Sequence, residues 1–243
     1  MVHFLSDLHL TPHAPGITRI FLDYLGNNAR SAERVFILGD LFEAWPGDDA
    51  IDDPDDRFDR DIIERLRALT ESGTRVAFQH GNRDFLLGRH FSERTGVTLL
   101  PDPFLLSLPS RQFVLSHGDA LCTDDMEYQS FRKQVRSPDW KTAFLNKPLA
   151  ERKAIAAAMR QQSETSKREK TTQTMDLNPS ATDEFLRAHG YATMIHGHTH
   201  RPARHDHVVD GIRVERWVLA DWHEDRGEYL AWDGHQLSRH VLA

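Results

Sequence analysis

Five short apolar runs in this 243-residue chain each end in a side chain able to hold a metal ion. HFLS at 3–6 is followed by Asp7 and His9, RVFIL at 34–38 by Asp40, and RVAFQ at 75–79 by Asn82. QFVLS at 112–116 is followed by His117, and ATMI at 192–195 by His196 and His198. One Asp-x-His alone is weak, since a buried histidine is more often a satisfied core residue, but five such ends point to one shared site. Gly39, Gly81, Gly118 and Gly197 each adjoin one of these residues, where glycine lets the chain turn sharply and come close to a metal or phosphate. Asp7 and His9 are two apart and face one way, as do His196 and His198. Three or four ligands suit one metal, so seven candidates imply two metals sharing a carboxylate. Asp, His and Asn without thiolates suit a divalent ion such as Mn²⁺ and not structural zinc. Two cations about 3.5–4 Å apart can clamp the attacking and leaving oxygens of an in-line displacement at phosphorus. Hydrolysis of a phosphoester or phosphoanhydride is the chemistry this implies.

Such residues can meet if the runs are strands, because loops at the carboxyl ends of strands in α/β sheets share one edge. The runs are short and rich in Val, Ile, Leu and Phe, which favours buried strands. Between the first three, Ile17, Ile20, Phe21 and Tyr24 mark one apolar helical face. Ile62, Ile63, Leu66 and Leu69 mark another, closed by Gly73. The alternation predicts an α/β layered domain. From Val208 to Val241, GIRVERWVLA, GEYLAW and, past an Asp233-Gly234 turn, DGHQLSRHVL predict antiparallel strands and a second sheet packed on the first. Residues 125–177 break the pattern. Tyr128, Phe131 and Val135, then Trp140 with Phe144, then Ile155, Ala156 and Met159 past Pro148, predict three inserted helices.

Hydrophobic residues at 39% and charged residues at 28% describe an ordinary folded protein with one core. The single cysteine, Cys122, excludes an internal disulfide, suits a reducing compartment and reads as a small apolar residue. The opening MVHFLSDLHL is interrupted by Asp7 and His9, unlike a secretory signal, and no run approaches the roughly 18 apolar residues of a membrane span. A cytoplasmic monomer without a nucleic-acid partner is expected. The net charge of −7 is uneven: Arg132 to Lys170 holds eleven Lys/Arg and four Asp/Glu, a local +7 against −14 elsewhere. Such a segment faces an anionic partner or forms a solvated helix surface. The run from Glu43 to Asp61, with nine acids and two arginines, reads as a solvated loop.

D-x-H, GD, GN-x-[DE], H-G-D and G-H-T-x are, in order, the motifs of the calcineurin-like metallophosphoesterases, and the chain resembles that family over 1–124 and 190–223. The fuller strings SDLHL, GDLFEAW, HGNRDF, SHGDALCTDD, TMDLNP and HGHTHRP, with the basic insertion, are similar to the branch acting in lipid A biosynthesis. That likeness spans nearly the whole chain. It implies a four-layer α-β-β-α sandwich of two mixed sheets, with a core of 1–124 and 178–243 and a helical cap at 125–177. It implies Asp7, His9, Asp40 and His198 around one manganese and Asp40, Asn82, His117 and His196 around the other, Asp40 bridging. Catalytic roles fall to Asp40, Asn82, Arg83 and His117. Substrate contacts fall to Asn82, Arg83, Asp125, Ser163, Lys167, Lys170 and His196, although Lys167 stands where the family often has Asn or Thr. The implied reaction is attack of a metal-activated hydroxide on the α-phosphorus of UDP-2,3-diacylglucosamine, giving UMP and 2,3-diacylglucosamine 1-phosphate. The enzyme would sit peripherally on the cytoplasmic face of the inner membrane.

Many family members carry histidine where this chain has Arg83, placed to protonate an alkoxide leaving group. Arginine stays protonated and cannot deliver a proton, but it can hold phosphate oxygens by a charged fork. A phosphate leaving group, with a second ionisation at about pH 6, departs without an acid. Arg83 therefore favours a phosphoanhydride substrate; a surface ion pair is the plainer alternative. In the insertion, Phe131, Trp140, Phe144, Ile155 and Met159 beside Arg132, Arg160, Lys167 and Lys170 offer an apolar cleft with cations, although each apolar residue equally suits core packing. Amphipathic helices of this kind also suit an anionic membrane surface. Two other readings compete. A cytosolic nucleotide or phosphodiester hydrolase of the same family would leave the insertion and Arg83 without a task. A non-catalytic metal-binding interaction module would be expected to have lost ligands, whereas all seven candidates are present.

Overall fold

Phe4 and Leu5 are neighbours on one strand, face opposite ways and are both fully buried, so this strand has packed layers on each side. The computed structural model describes residues 1–169, 174 and 176–243, with only the helical backbone described for 163–169. In chain order the elements are β1 (Val2–Leu5), α1 (Pro15–Gly26), β2 (Arg34–Leu38), α2 (Arg57–Glu71), β3 (Arg75–Gln79) and α3 (Arg89–Thr95). Next come β4 (Thr98–Leu99), β5 (Phe104–Leu108), β6 (Arg111–Ser116), α4 (Met126–Val135), α5 (Pro138–Leu145) and α6 (Leu149–Glu169). The chain closes with α7 (Pro179–Ala188), β7 (Thr193–His196), β8 (Ala203–Val209), β9 (Ile212–Val218), β10 (Gly227–Trp232) and β11 (Leu237–Leu242).

The strands form two mixed sheets, ordered β11-β10-β1-β2-β3-β4 and β5-β6-β7-β9-β8. Strands β1 to β4 run parallel, as do β6, β7 and β9. Period-two alternation sorts their side chains into layers. Phe4, Phe36, Phe113, Leu115, Ile195 and Trp232 fill the space between the sheets. Leu5, Ile37 and Phe78 point outward onto Ile17, Phe21, Ile62, Leu66 and Phe91 of α1 to α3. Val114 and Met194 point outward from the second sheet onto Leu186 of α7. The result is α-β-β-α. Each such side chain contributes about 1.5–3 kcal/mol by leaving water.

All five predicted runs are strands, but they divide three and two between the sheets. The C-terminal stretch does not make a sheet of its own. β9 joins the second sheet beside β7, while β10 and β11 extend the first beside β1. Alternation identifies a strand but does not say which edge it completes. The acidic run is also not merely a solvated loop. Ala50 and Ile51 are buried, and the run receives α6: Arg152, 2% exposed, donates to Asp49 Oδ1 (2.8 Å) and the Pro46 carbonyl (2.7 Å). Lys153 pairs with Asp53 (2.8 Å) and Asp56 (3.1 Å), and Arg160 with Glu43 (2.8 Å). Much of the basic segment therefore faces anions of its own chain. Among the described residues no helix is long and apolar enough to cross a membrane.

Candidate metal centre

The carboxyl ends of β1, β2, β3, β6 and β7 meet at one edge, where backbone bonds join neighbouring loops within each sheet. Asp7 N donates to the Gly39 carbonyl (3.1 Å), His9 N to Asp40 (3.0 Å) and Gly197 N to His117 (3.0 Å). Five residues here adopt left-handed backbone: Asp7 (φ 55°), His9 (50°), Asp40 (53°), His198 (68°) and His200 (54°). Asp and His tolerate that region better than most residues, yet it costs about 1–3 kcal/mol each, a strain that gathers at functional sites. Gly39, at φ 86°, turns the chain into Asp40, and a methyl group on Gly81 would collide with the Asp40 carboxylate.

The side chains converge on that edge. Asp40 lies with Oδ2 3.8 Å from His9 Nε2 and Oδ1 3.9 Å from His117 Nε2. Its Oδ1 also accepts from Arg83 N at 2.8 Å. Asn82 Oδ1 stands 2.9 Å from His198 Nδ1 and 3.1 Å from His117 Nε2. His117 Nδ1 donates to the Leu38 carbonyl (2.8 Å), which leaves Nε2 facing the edge. Asp7 Oδ2 accepts from Ser6 Oγ (2.5 Å) and His198 N (2.9 Å), and its Oδ1 is 3.4 Å from His200 Nε2. The ligand atoms of Asp7, Asp40 and His117 lie within 4.8 Å of one another, as do those of Asp7, His9 and His200. Buried carboxylates with imidazoles form a donor set that fits divalent cations. Six of the seven predicted ligands are thus brought together. His196 reaches the same edge fully buried, but its Nδ1 is 2.8 Å from the Gly197 carbonyl and its Nε2 is 3.0 Å from Arg216 Nη1.

The electrostatics suit positive charge. Burial acts to raise the Asp7 carboxyl, but the hydrogen bond and charge of His200 hold it well below the usual range. Burial likewise depresses His117, and Asp40, Asp7 and Asp119 outweigh it and lift the imidazole to about 9. His200 rises to about 10 against burial through Asp221 and Asp7. His196 and His198 fall to about 3 and about 4, chiefly by burial.

Several site residues were not foreseen. His200 is the third histidine of HGHTH, a signal available but unused. Asp84, the last residue of HGNRD, accepts from Leu41 N (2.7 Å) and Gly81 N (2.9 Å) and so clamps two loops together. Burial and the Asp40 charge raise it to about 7. Glu43, assigned to the acidic run, instead gathers His9 (3.2 Å), Arg160 (2.8 Å) and Arg83 (3.9 Å). Arg83 is 9% exposed, so this is no surface ion pair.

Beside the metal edge lies a cavity of about 390 Å³. His9, Asp40, Asn82, Arg83 and His198 border it, and Trp45, Phe85, Phe131, Trp140, Phe144 and Met159 form its apolar wall. Ile155 packs on the core instead. Asp125 borders the cavity while capping α4, accepting from Tyr128 N (3.1 Å). Cys122 is buried, and burial pushes its thiol far up, away from nucleophilic use. Arg132 is taken by Asp119. The side chains of Ser163 and Lys167, and Lys170 entirely, lie outside the described residues.

Residues 1–202 match the family model described as calcineurin-like phosphoesterase. Curated relatives similar to this chain carry the name UDP-2,3-diacylglucosamine hydrolase. That of Aromatoleum aromaticum is 53% identical over 231 residues, covering 95% of this chain and 92% of the relative. That of Chromohalobacter salexigens is 46% identical over 223 residues, covering 92% and 89%. That of Pseudomonas aeruginosa is 45% identical over 221 residues, covering 91% and 90%.

Proposed function

The chain belongs to the calcineurin-like phosphoesterase family, and from that premise we propose that it hydrolyses the pyrophosphate bond of UDP-2,3-diacylglucosamine. The products are UMP and 2,3-diacylglucosamine 1-phosphate, a step of lipid A biosynthesis. The observation that carries this reading is the juxtaposition of a buried carboxylate–imidazole edge with a largely apolar cavity that Arg83 also lines. A diacylated sugar diphosphate needs both. The names of relatives about half identical over nearly the whole chain support the same substrate.

Two divalent cations, for which we choose Mn²⁺, supply Lewis acidity and an acidified water when bound. Asp7, His9, Asp40 and His198 would hold one, and Asp40, Asn82, His117 and His196 would hold the other. The reading of Asp40 as the bridge is supported by its two oxygens, one toward His9 and one toward His117. His196 enters the set on the HGHTH spacing. Arg83 grips phosphate oxygens and absorbs charge building on the leaving group, which needs no proton from the protein. Asn82, Asp125, Ser163, Lys167, Lys170 and His196 complete the substrate contacts. Residues 125–177 act as the cap that receives the acyl chains, and the core is 1–124 with 178–243. The protein works as a monomer in the cytoplasm, resting on the inner membrane. Met126 and Leu145, exposed apolar residues of the cap, support that placement.

Hydrolysis in ¹⁸O water followed by phosphorus NMR tests the reaction. The label is expected in UMP alone, with turnover lost on chelation and restored by Mn²⁺. Label in the sugar phosphate, or turnover of a plain phosphodiester but not the lipid, would overturn the reading.

A further inference from the structure

The first helix of the insertion is tied to the metal edge more closely than a cover requires. Asp119, fully buried two residues after His117, accepts from Tyr128 Oη (2.7 Å), Arg132 Nε (2.8 Å) and Arg136 Nη2 (3.1 Å). Arg136 Nη2 also donates to the carbonyl of Gly81 (2.9 Å), the residue before Asn82. The Tyr128 ring stacks on His198, with centroids 5.8 Å apart and planes at 29°. Tyr128, Arg132 and Arg136 are spaced by four, so one face of α4 and its C-cap presents all three.

This face meets loops from both sheets. The Gly81 loop follows β3 in the first sheet, whereas the Asp119 and His198 loops follow β6 and β7 in the second. Among the described residues no strand pairing joins the two sheets, so side-chain bonds such as these fix their loops against each other at this edge. We propose that Arg136, with Asp119 and Tyr128, is a positioning residue that holds the loops of Asn82, His117 and His198 in the geometry that binds metal. The proposal rests on the reading of these loops as a metal centre. It makes α4 part of the scaffold of that centre, with α5 and α6 left as the cover. Lysine cannot replace Arg136 fully, because a single ammonium lacks the guanidinium's planar fork.

The test compares wild type with Arg136→Ala, Arg136→Lys and the exposed control Lys133→Ala. In the metal-free protein, Arg136→Ala is expected to speed amide hydrogen exchange in 80–87 and 117–122 while leaving the β8–β9 hairpin unchanged. Its affinity for Mn²⁺ is expected to fall about 10–100-fold, with kcat reduced and KM for the lipid held. Arg136→Lys should lie between, and Lys133→Ala should match wild type. Unchanged exchange in 80–87 with wild-type Mn²⁺ affinity overturns the proposal. Exchange raised evenly along the chain in both Arg136 variants also overturns it, since that marks a general loss of stability. A wild-type protein that bound no Mn²⁺ and spared the lipid would sink the functional reading, while the exchange comparison would still decide the role of Arg136.

Discussion

Asp40 and Arg83 share a hydrogen bond from backbone to carboxylate, so the residue that faces both histidines also sets where the neighbouring guanidinium starts. Arg83 lines the cavity, and in the proposed reading its guanidinium holds phosphate without entering the ligand set. Arg83→Ala is therefore expected to lower kcat about 10²–10³-fold while metal content, read by elemental analysis, stays at the wild-type level. Parallel loss of bound metal would show that the side chain works through the ligands and not on the phosphate. At this scale, the sequence pointed to the candidate residues that the fold gathers at one edge, because chemistry restricts which residue types could hold a metal. It did not point to Glu43, whose use depends on His9, Arg83 and Arg160 closing around it.

Helix α6 shows how an element is seated by charge. Arg152 is buried with hydrogen bonds to Asp49, Pro46 and Lys147, whereas Lys153 pairs with its aspartates at a more open position. Removing Arg152 strands the buried Pro46 carbonyl, while Asp49, largely exposed, regains water. Arg152→Ala is expected to cost about 1–3 kcal/mol in urea denaturation, and Lys153→Ala less than about 1 kcal/mol. Equal effects would mean that burial does not govern the docking. The three helices were legible from apolar spacing and Pro148. Their seat on residues 43–56 was not, because the complementary charges lie about a hundred positions apart and neither run names the other.

For the whole molecule, the internal pairing of cations on α4 to α6 changes how a membrane would be met. Arg132, Arg136, Lys147, Arg152, Lys153 and Arg160 all have acidic partners within the chain. Each basic residue free near an anionic surface adds about 1 kcal/mol, so little of that attraction remains among the described residues of α4 to α6. Co-sedimentation with anionic vesicles is expected to survive 0.3 M salt and to fall in Met126→Asp and Leu145→Asp. Binding abolished by salt and indifferent to those changes would return the role to charge. Taken alone, the sequence determined the five strands that end in candidate ligands, the spacing of those residues and the family motifs, because period, turn chemistry and donor type are local properties. The tertiary structure alone decided that the five strands ending in candidate ligands divide between two sheets, that β9 and β10 part company, and that Arg136 spans loops of both sheets. Those outcomes depend on which distant surfaces exclude water together, and no local pattern encodes that choice.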